Sequence, residues 1–233
     1  MQPLVIDLKG KKVTIAGGGT IALRKAMVLG DENPILTFIA PAFSDGVLEY
    51  ARNNKCLLIE REAEGEDFAD CFLAIIATND RQANSLLSNV IPHNILCCVV
   101  DEHNEGNALF PATVKRGHLQ IAVSSSGASP KLTRKLKKEL ESHYDESWIE
   151  YSIFLADVRN AMKEKDILFQ QKQEILEMIL DDSFRLDSRN RKRILESLDS
   201  IHHFNGLAIC TEKGTIVSND IGDDSTGLME RIR

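Results

Sequence analysis

The sequence lacks any apolar run long enough to cross a membrane. One of its most apolar stretches, residues 72–77, has only six residues, whereas a spanning helix needs about 20. The first residues also lack the basic cluster and long apolar segment of a secretory signal peptide. We therefore expect no membrane partner and a cytoplasmic location.

The cysteines lack the spacing of a metal site or a disulfide framework. Their number is five, which is odd, and no two of them form a C-x-x-C pair. Such residues are typical of small buried side chains in a reducing compartment. The sequence therefore predicts no resident zinc or iron–sulfur centre.

Residues 106–138 lack Asp and Glu, although the whole chain has a formal net charge of −7. The segment contains seven Lys or Arg residues and one His: Lys115, Arg116, His118, Lys131, Arg134, Lys135, Lys137 and Lys138. Between Phe110 and Tyr144 the chain also lacks the aromatic residues on which nucleic-acid bases stack, and the acidic total argues against general nucleic-acid binding. The segment is therefore either a binding site for a small polyanion or a solvated helix face.

A glycine-rich stretch near the N-terminus dominates what the sequence does contain. The run Val13-Thr14-Ile15-Ala16 is followed by Gly17-Gly18-Gly19 and then by a helix-compatible segment with Ala22. This strand–turn–helix order is the context that a dinucleotide-binding fingerprint requires. Pyrophosphate would then lie at the N-terminus of the helix.

Strand and helix patterns alternate through the first hundred residues. Strands are predicted at 13–16, 36–40, 56–59, 72–77 and 95–100, and helices at 21–29, 44–53 and 80–90. In the last of these helices Ala83, Leu86, Leu87 and Val90 are predicted to share the apolar face. The pattern predicts an α/β fold with a Rossmann-type, doubly wound parallel sheet.

Ligands of such sheets bind beyond the carboxyl ends of the strands. The candidate cofactor-binding residues follow strands one, two and four: Gly17, Gly19, Thr20, Ile21, Pro41, Ala42, Thr78 and Asn79. Asp101 follows strand five. After strand two neither an acidic residue for the ribose nor an Arg for a 2′-phosphate is present, so these residues leave NAD and NADP both open.

The pattern changes after Pro111. A turn at Arg116-Gly117 and a strand over 119–123 are predicted, followed by a helix capped by Ser129 that begins with Pro130. The helix carries Leu132, Leu136 and Leu140 as a narrow apolar stripe. We predict a Rossmann domain over 1–111, a dimerisation and substrate segment over 112–145, a helical domain over 146–201, and a tail of unknown role over 202–233 that includes a hairpin-like segment.

Five segments resemble the precorrin-2 dehydrogenase family, the sirohaem-synthase dehydrogenase and ferrochelatase module. They occur in order at residues 17–25, 77–80, 99–101, 110–112 and 121–130. Gly-Gly-Gly-x-x-Ala-x-Arg-Lys combined with Ser-x-Gly-x-Ser-Pro is much more specific than a bare Rossmann fingerprint. The resemblance covers about the first two-thirds of the chain.

The resemblance implies NAD as cofactor, a homodimer, and the reduced tetrapyrrole precorrin-2, with eight carboxylates, as substrate. It implies that sirohydrochlorin is the product, for sirohaem or cobalamin synthesis. Asp101 matches the residue implicated in catalysis, where the bare sequence favours a turn-forming Asp. Ser125 matches a serine that can be phosphorylated in some relatives, and a loop serine near the substrate is the alternative. The substrate would suit the basic segment, with Lys115, Arg116, His118 and Ser125 as candidate contacts; for His118 a strand-edge position is the alternative.

Two questions remain open at the level of sequence. The alternative function is a regulatory Rossmann module that senses NAD without catalysis, whereas a short-chain reductase is excluded because Tyr-x-x-x-Lys is absent. Some relatives also insert iron with the same carboxylate. No dedicated metal site is apparent here, so we expect dehydrogenase activity with weak or absent ferrochelatase activity.

Overall fold

The computed structural model describes residues 1–102, 104–163, 165 and 167–199, together with the backbone of two short strands at 208–210 and 216–218. The chain divides into two compact units. The first, here called the α/β unit, comprises Met1–Pro111 with Ser126–Ala128. The second, the hairpin–helix unit, comprises Ala112–Ser125 and the chain from Ser129 onward.

Five parallel strands form the centre of the α/β unit. In chain order its elements are β1 (Lys12–Ala16), α1 (Thr20–Gly30), β2 (Ile35–Ile39), α2 (Asp45–Asn54), β3 (Leu57–Ile59), a 3₁₀ helix (Gly65–Phe68), β4 (Leu73–Ile76), α3 (Arg81–Val90) and β5 (Leu96–Val99). The strand order is β3-β2-β1-β4-β5, and every pairing is parallel. The predicted doubly wound α/β fold is confirmed.

The sheet is covered on both faces, which explains why its strands are nearly continuous apolar runs. On one face Ile15, Phe38 and Ile75 pack with residues of α1 and α2. On the other face Ala74 and Ile76 pack with α3, the 3₁₀ helix and β5. Neighbouring residues of β4 thus enter different cores, as the two-residue period of a strand requires.

The predicted apolar face of α3 is wrong in part. Leu86 is 68% exposed and Val90 57% exposed, whereas Leu87 is buried and Asn84 is only 1% exposed. The helix is rotated so that Asn84 points inward, because the Asn84 side-chain amide forms hydrogen bonds to Thr78 and Asp101. Polar contacts at the end of the sheet therefore override the apolar periodicity of this helix.

The hairpin–helix unit begins with an antiparallel hairpin and continues with helices. Its elements are β6 (Ala112–Arg116), β7 (Leu119–Val123), α4 (Pro130–His143), α5 (Ser147–Lys163), α6 (Phe169–Met178), α7 (Asp182–Leu186), α8 (Ser188–Asp199) and the paired strands β8 (Ala208–Cys210) and β9 (Ile216–Ser218). The predicted helical C-terminal part and the hairpin-like segment of the tail are both confirmed. The rest of the tail lies outside the described residues.

Side chains from α5 organise the second core. Phe154 and Val158 pack with Ile194 and Leu198 of α8. The turn of the β6–β7 hairpin packs against α5. The main-chain N–H of His118 donates a hydrogen bond to the Ser152 hydroxyl at 3.0 Å. Across the described part of the chain, no helix combines the length and apolar character needed to cross a bilayer.

Candidate functional site at the carboxyl ends of the strands

The glycine-rich loop after β1 is packed against the loops that follow β4 and β2. Gly17 has φ +134°, and a Cβ there would lie 2.4 Å from the carbonyl oxygen of Ala77. A Cβ on Gly18 would lie 2.0 Å from the carbonyl oxygen of Ala42. A side chain at either glycine would push these loops apart, so the close approach of the three loops depends on glycine.

Main-chain hydrogen bonds fix the same arrangement. Gly17 N donates to the last residue of β2 at 2.9 Å, and Ser44 N donates to Gly18 O at 2.8 Å. Pro41 and Ala42 lie exposed between these two attachments. The structure therefore brings together the residues predicted after β1 and after β2.

The N-terminus of α1 has no cap within its own sequence. Gly19 precedes the helix in an extended conformation, no side chain caps the first turn, and that turn carries no acidic residue. A Cβ on Gly19 would meet no atom of the described residues within 4 Å, and Thr20 and Ile21 are exposed. Uncapped N–H groups and open space above them fit an anion such as a dinucleotide pyrophosphate.

The loop after β4 is ordered by a buried amide. The Thr78 hydroxyl donates to Oδ1 of Asn84 at 2.5 Å, and Nδ2 of Asn84 donates to Thr78 O at 3.2 Å. Asp80 then caps α3 by accepting from two N–H groups of its first turn, at 2.8 and 3.1 Å. Asn79 lies exposed between these fixed residues.

Asp101 lies just past β5 and is reached from α3. Its Oδ2 accepts a hydrogen bond from Nδ2 of Asn84 at 3.2 Å and is 3.8 Å from Nε of Arg81. Its side chain is 40% exposed. The carboxylate is therefore held by α3 on one oxygen and remains accessible to a ligand.

The main ion-pair partner of Arg81 is Glu105. The Arg81 guanidinium donates to both carboxylate oxygens of Glu105, with NH1 at 2.8 Å from Oε2. This ion pair lowers the pKa of Glu105 and raises the pKa of Arg81. Since a guanidinium binds a carboxylate most strongly in this two-pronged geometry, Arg81 is only a secondary partner of Asp101.

A contact within the α/β unit joins two segments of the family motif. Nζ of Lys25 lies 4.4 Å from the centroid of the Phe110 ring, within the range of a cation–π interaction. Beneath them, burial raises the pKa of the Cys98 thiol, which the positive charge of Lys25 partly opposes. Lys25 thus has a packing role, which the motif alone does not reveal.

The candidate substrate contacts lie on the hairpin and the following loop of the second unit. Lys115 and His118 are exposed, and the Ser125 hydroxyl accepts from Ser129 N at 3.0 Å. The Arg116 side chain is only 15% exposed, and its Nε donates to Tyr144 O at 2.8 Å. Arg116 therefore ties the hairpin to the end of α4.

The cations of α4 are exposed and only partly paired. Lys135 and Lys137 lie 3.8 and 3.6 Å from glutamates four residues further along the helix. Exposed pairs of this kind contribute little stability. Lys131, Arg134 and Lys138 are exposed as well, so the helix presents positive charge to solvent.

Three residues at the strand ends escaped the sequence analysis. Gly18 was within the motif, but nothing in the sequence indicated its contact with Ala42. Asn84 and Arg81 lie within a helix, where polar residues are usually solvated. The signal that the sequence offered was their position at the start of the helix that follows the loop of Thr78. Among the described residues, no three His, Cys, Asp or Glu side chains cluster as metal ligands.

Comparisons with known proteins agree with this geometry in both units. A family model described as "Putative NAD(P)-binding" matches residues 4–112, "Sirohaem biosynthesis protein central" matches 116–143, and "SirC C-terminal domain" matches 148–194. The solved structure of "SirC, precorrin-2 dehydrogenase" superimposes with a TM-score of 0.77 at 32% identity, covering 85% of this chain and 99% of that one.

Relatives of known function cover most of the chain. Precorrin-2 dehydrogenase of Priestia megaterium is 32% identical, over 85% of this chain and 98% of its own length. The enzyme of the same name from Bacillus subtilis is 35% identical, over 64% and 92%. Siroheme synthase of Pseudoalteromonas translucida is 30% identical over 78% of this chain but only 38% of its own length.

The family resemblance seen in the sequence is confirmed, and with it a nicotinamide cofactor and an oxidoreductase rather than a regulatory sensor. The fold, the strand-end loops and the similarity to full-length relatives all support one assignment. The chain belongs to the precorrin-2 dehydrogenase family.

Proposed function

We propose that the protein oxidises precorrin-2 to sirohydrochlorin with NAD as hydride acceptor, in the synthesis of sirohaem. The observation that carries this proposal is the convergence of the loops after β1, β2 and β4 with Asp101 after β5. These positions form the carboxyl end of one parallel sheet, where ligands of doubly wound folds bind. Two of the relatives named above are called precorrin-2 dehydrogenases.

The cofactor proposal follows from the three loops. The pyrophosphate would bind over Gly17, Gly19, Thr20 and Ile21, at the uncapped start of α1. The ribose would lie near Pro41-Ala42, and the loop with Thr78 and Asn79 would border the other half of the dinucleotide. Residues 40–44 contain neither a cation for a 2′-phosphate nor an acidic residue for the ribose hydroxyls, so NAD is proposed from the family resemblance rather than from these residues. When bound, NAD⁺ supplies the hydride acceptor.

Asp101 is the proposed proton acceptor. Conversion of precorrin-2 to sirohydrochlorin removes two hydrogens, of which one leaves as hydride to NAD⁺ and the other as a proton. A carboxylate that is 40% exposed and held by Asn84 can take that proton. The balance is precorrin-2 plus NAD⁺ giving sirohydrochlorin, NADH and H⁺.

The hairpin–helix unit supplies the proposed tetrapyrrole contacts. Lys115, Arg116, His118 and Ser125 lie in the acid-free segment, and a substrate with many carboxylates would be attracted to its cations. The Arg116 side chain is only 15% exposed, whereas Lys115 is exposed, so we expect Lys115 to contribute more to substrate affinity. We place the dimerisation and substrate segment at 112–145, after the NAD-binding domain of 1–111, and the helical domain at 146–201.

A homodimer is proposed from the apolar stripe of α4. Leu132 is 48% exposed, Leu136 and Leu140 are half-buried, and α4 has no fully buried residue. Sedimentation should show a dimer that Leu132→Glu with Leu136→Glu converts to monomer. The control Phe169→Glu, at a residue that is 77% exposed, should remain dimeric; a monomeric wild type at micromolar concentration would contradict the stripe's role.

The direct test of function is anaerobic turnover. Precorrin-2 is incubated with the full chain and NAD or NADP, and sirohydrochlorin and reduced cofactor are followed by their absorption spectra. We expect equal amounts of sirohydrochlorin and NADH, and slower reaction with NADP. NAD binding without turnover of precorrin-2 would contradict the proposed reaction.

We further propose that metal insertion is weak or absent. Sirohydrochlorin and Fe²⁺ are supplied without NAD under anaerobic conditions, and sirohaem formation is compared with the spontaneous rate. We expect the two rates to agree. Faster sirohaem formation that disappears in Asp101→Ala would show that one carboxylate serves both reactions.

A further inference from the structure

We propose that Asn84 is a positioning residue that couples the cofactor loop after β4 to the carboxylate of Asp101. This inference rests on the proposed function, in which Thr78 borders the cofactor and Asp101 accepts the proton. Asn84 itself is 1% exposed. It therefore does not reach substrate and acts through the two residues that it binds.

Both polar atoms of the Asn84 amide form hydrogen bonds with these two residues. Oδ1 accepts from the Thr78 hydroxyl at 2.5 Å. Nδ2 donates to Thr78 O and to Oδ2 of Asp101, both at 3.2 Å. Since a primary amide has two N–H donors and one carbonyl acceptor, one side chain fixes both the loop and the carboxylate.

The contacts of Asp101 are one-sided. Asn84 and Arg81 both approach Oδ2, and Oδ1 has no hydrogen bond to any of the described residues. Arg81 is 3.8 Å away and is bound on its other nitrogens by Glu105. Asn84 is therefore the main restraint on the orientation of the carboxylate and leaves Oδ1 for proton transfer.

An amide suits this position better than a charged donor. A Lys or Arg at hydrogen-bonding distance would form an ion pair with Asp101 and make it a weaker base. The amide donates without a net charge, and its burial keeps it in one conformation. Arg81, which lies 3.8 Å from Asp101, is paired with Glu105.

The test is a double-mutant cycle measured in single turnovers at saturating NAD. Serine is too short to form the hydrogen bond to Asp101, and its hydroxyl stays near Thr78. We therefore expect Asn84→Ser to lower the rate about 10- to 100-fold, the cost of a misplaced catalytic group. In an Asp101→Asn background the same change should alter the residual rate by no more than about twofold. A merely structural role would lower the rate equally in both backgrounds.

Asn107→Ser is the matched control. Asn107 also binds main chain within the α/β unit, with Oδ1 accepting from Cys97 N at 2.7 Å and Nδ2 donating to Ile95 O at 2.8 Å. Its substitution should lower the melting temperature without changing the rate at saturating substrate. If Asn84→Ser does not fold, Asn84→Asp keeps the shape and places a second carboxylate beside Asp101; an unchanged rate in that variant overturns the inference.

The outcomes separate the inference from the function on which it rests. Full activity of Asp101→Asn would contradict the proposed role of that carboxylate, whatever Asn84 does. An inactive Asp101→Asn together with a fully active Asn84→Ser would overturn only the positioning role.

Discussion

The two units use their polar side chains differently. At the strand ends of the α/β unit, the Asn84 side chain binds both Thr78 and Asp101, and Asp101 remains exposed to a ligand. In the described part of the hairpin–helix unit, several mostly buried side chains donate to main-chain carbonyls, as Tyr151 does to Ile179 O at 2.8 Å and Arg191 to Phe184 O at 3.0 Å. A network of side chains can position a reacting group, whereas side-chain bonds to the main chain hold a scaffold together.

Substitutions of glycine are expected to have the largest effects on stability, and their effects on NAD affinity should differ between the two units. Gly18→Ala should lower the free energy of unfolding by about 1–3 kcal/mol, as overpacking does, because its Cβ would lie 2.0 Å from Ala42 O. It should also weaken NAD binding. Gly117→Ala, with φ +59° and a Cβ that would lie 2.4 Å from the Ser152 hydroxyl oxygen, should cost stability but leave NAD affinity unchanged.

Gly19→Leu should affect NAD affinity without affecting stability. A Cβ there meets open space, so we expect a wild-type melting temperature and a loss of NAD affinity, measured by calorimetry. Equal NAD affinity in this folded variant would move the pyrophosphate away from the start of α1.

These differences mark what the sequence could predict. The order of strands and helices and the strand-end positions follow from apolar runs and from the glycines after β1, because topology places all carboxyl ends at one edge of the sheet. The inward position of Asn84 could not be predicted, since Leu86 and Val90 supply a competing apolar face. In α5, Ile153 fits the helical pattern but is 42% exposed. Only contacts between distant residues decide these cases.

The next prediction contrasts two adjacent cations of the hairpin. Lys115→Ala should raise KM for precorrin-2 severalfold with little change in stability, because Lys115 is exposed and attracts the substrate carboxylates. Arg116→Ala should mainly lower the melting temperature, since it leaves Tyr144 O without its donor. The reverse result, with Arg116 dominating KM, would make Arg116 a primary substrate contact.

The smallest expected effect concerns pH and the start of α8. The Arg189 side chain and main-chain N–H hold the pKa of Asp187 at about 2, below its ordinary value of 3.8. Because the folded state binds this proton less tightly, the ionised carboxylate stabilises the fold above about pH 4, and this stabilisation is lost as the pH falls towards about 2. Asp187→Asn should therefore lower the melting temperature at pH 6. The difference in melting temperature between wild type and variant should shrink as the pH falls from about 4 to about 2.

Asp157→Asn is the control for that titration. Asp157 is exposed on α5 and makes no hydrogen bond among the described residues, so its substitution should leave the melting temperature at pH 6 unchanged. A pH-independent loss of stability in Asp187→Asn would mean that its side chain acts by shape rather than by charge.

The central claim is that the strand-end carboxylate of the α/β unit carries out the proton step of the oxidation. The most direct measurement is anaerobic turnover of precorrin-2 by Asp101→Asn, with NAD affinity measured on the same preparation. The control is Asp70→Asn, at an exposed carboxylate that precedes β4 at the amino end of the sheet and pairs with Lys12. We predict a rate lower by about 10²- to 10⁴-fold in Asp101→Asn at unchanged NAD affinity, and a wild-type rate in Asp70→Asn. A wild-type rate in Asp101→Asn would contradict the account.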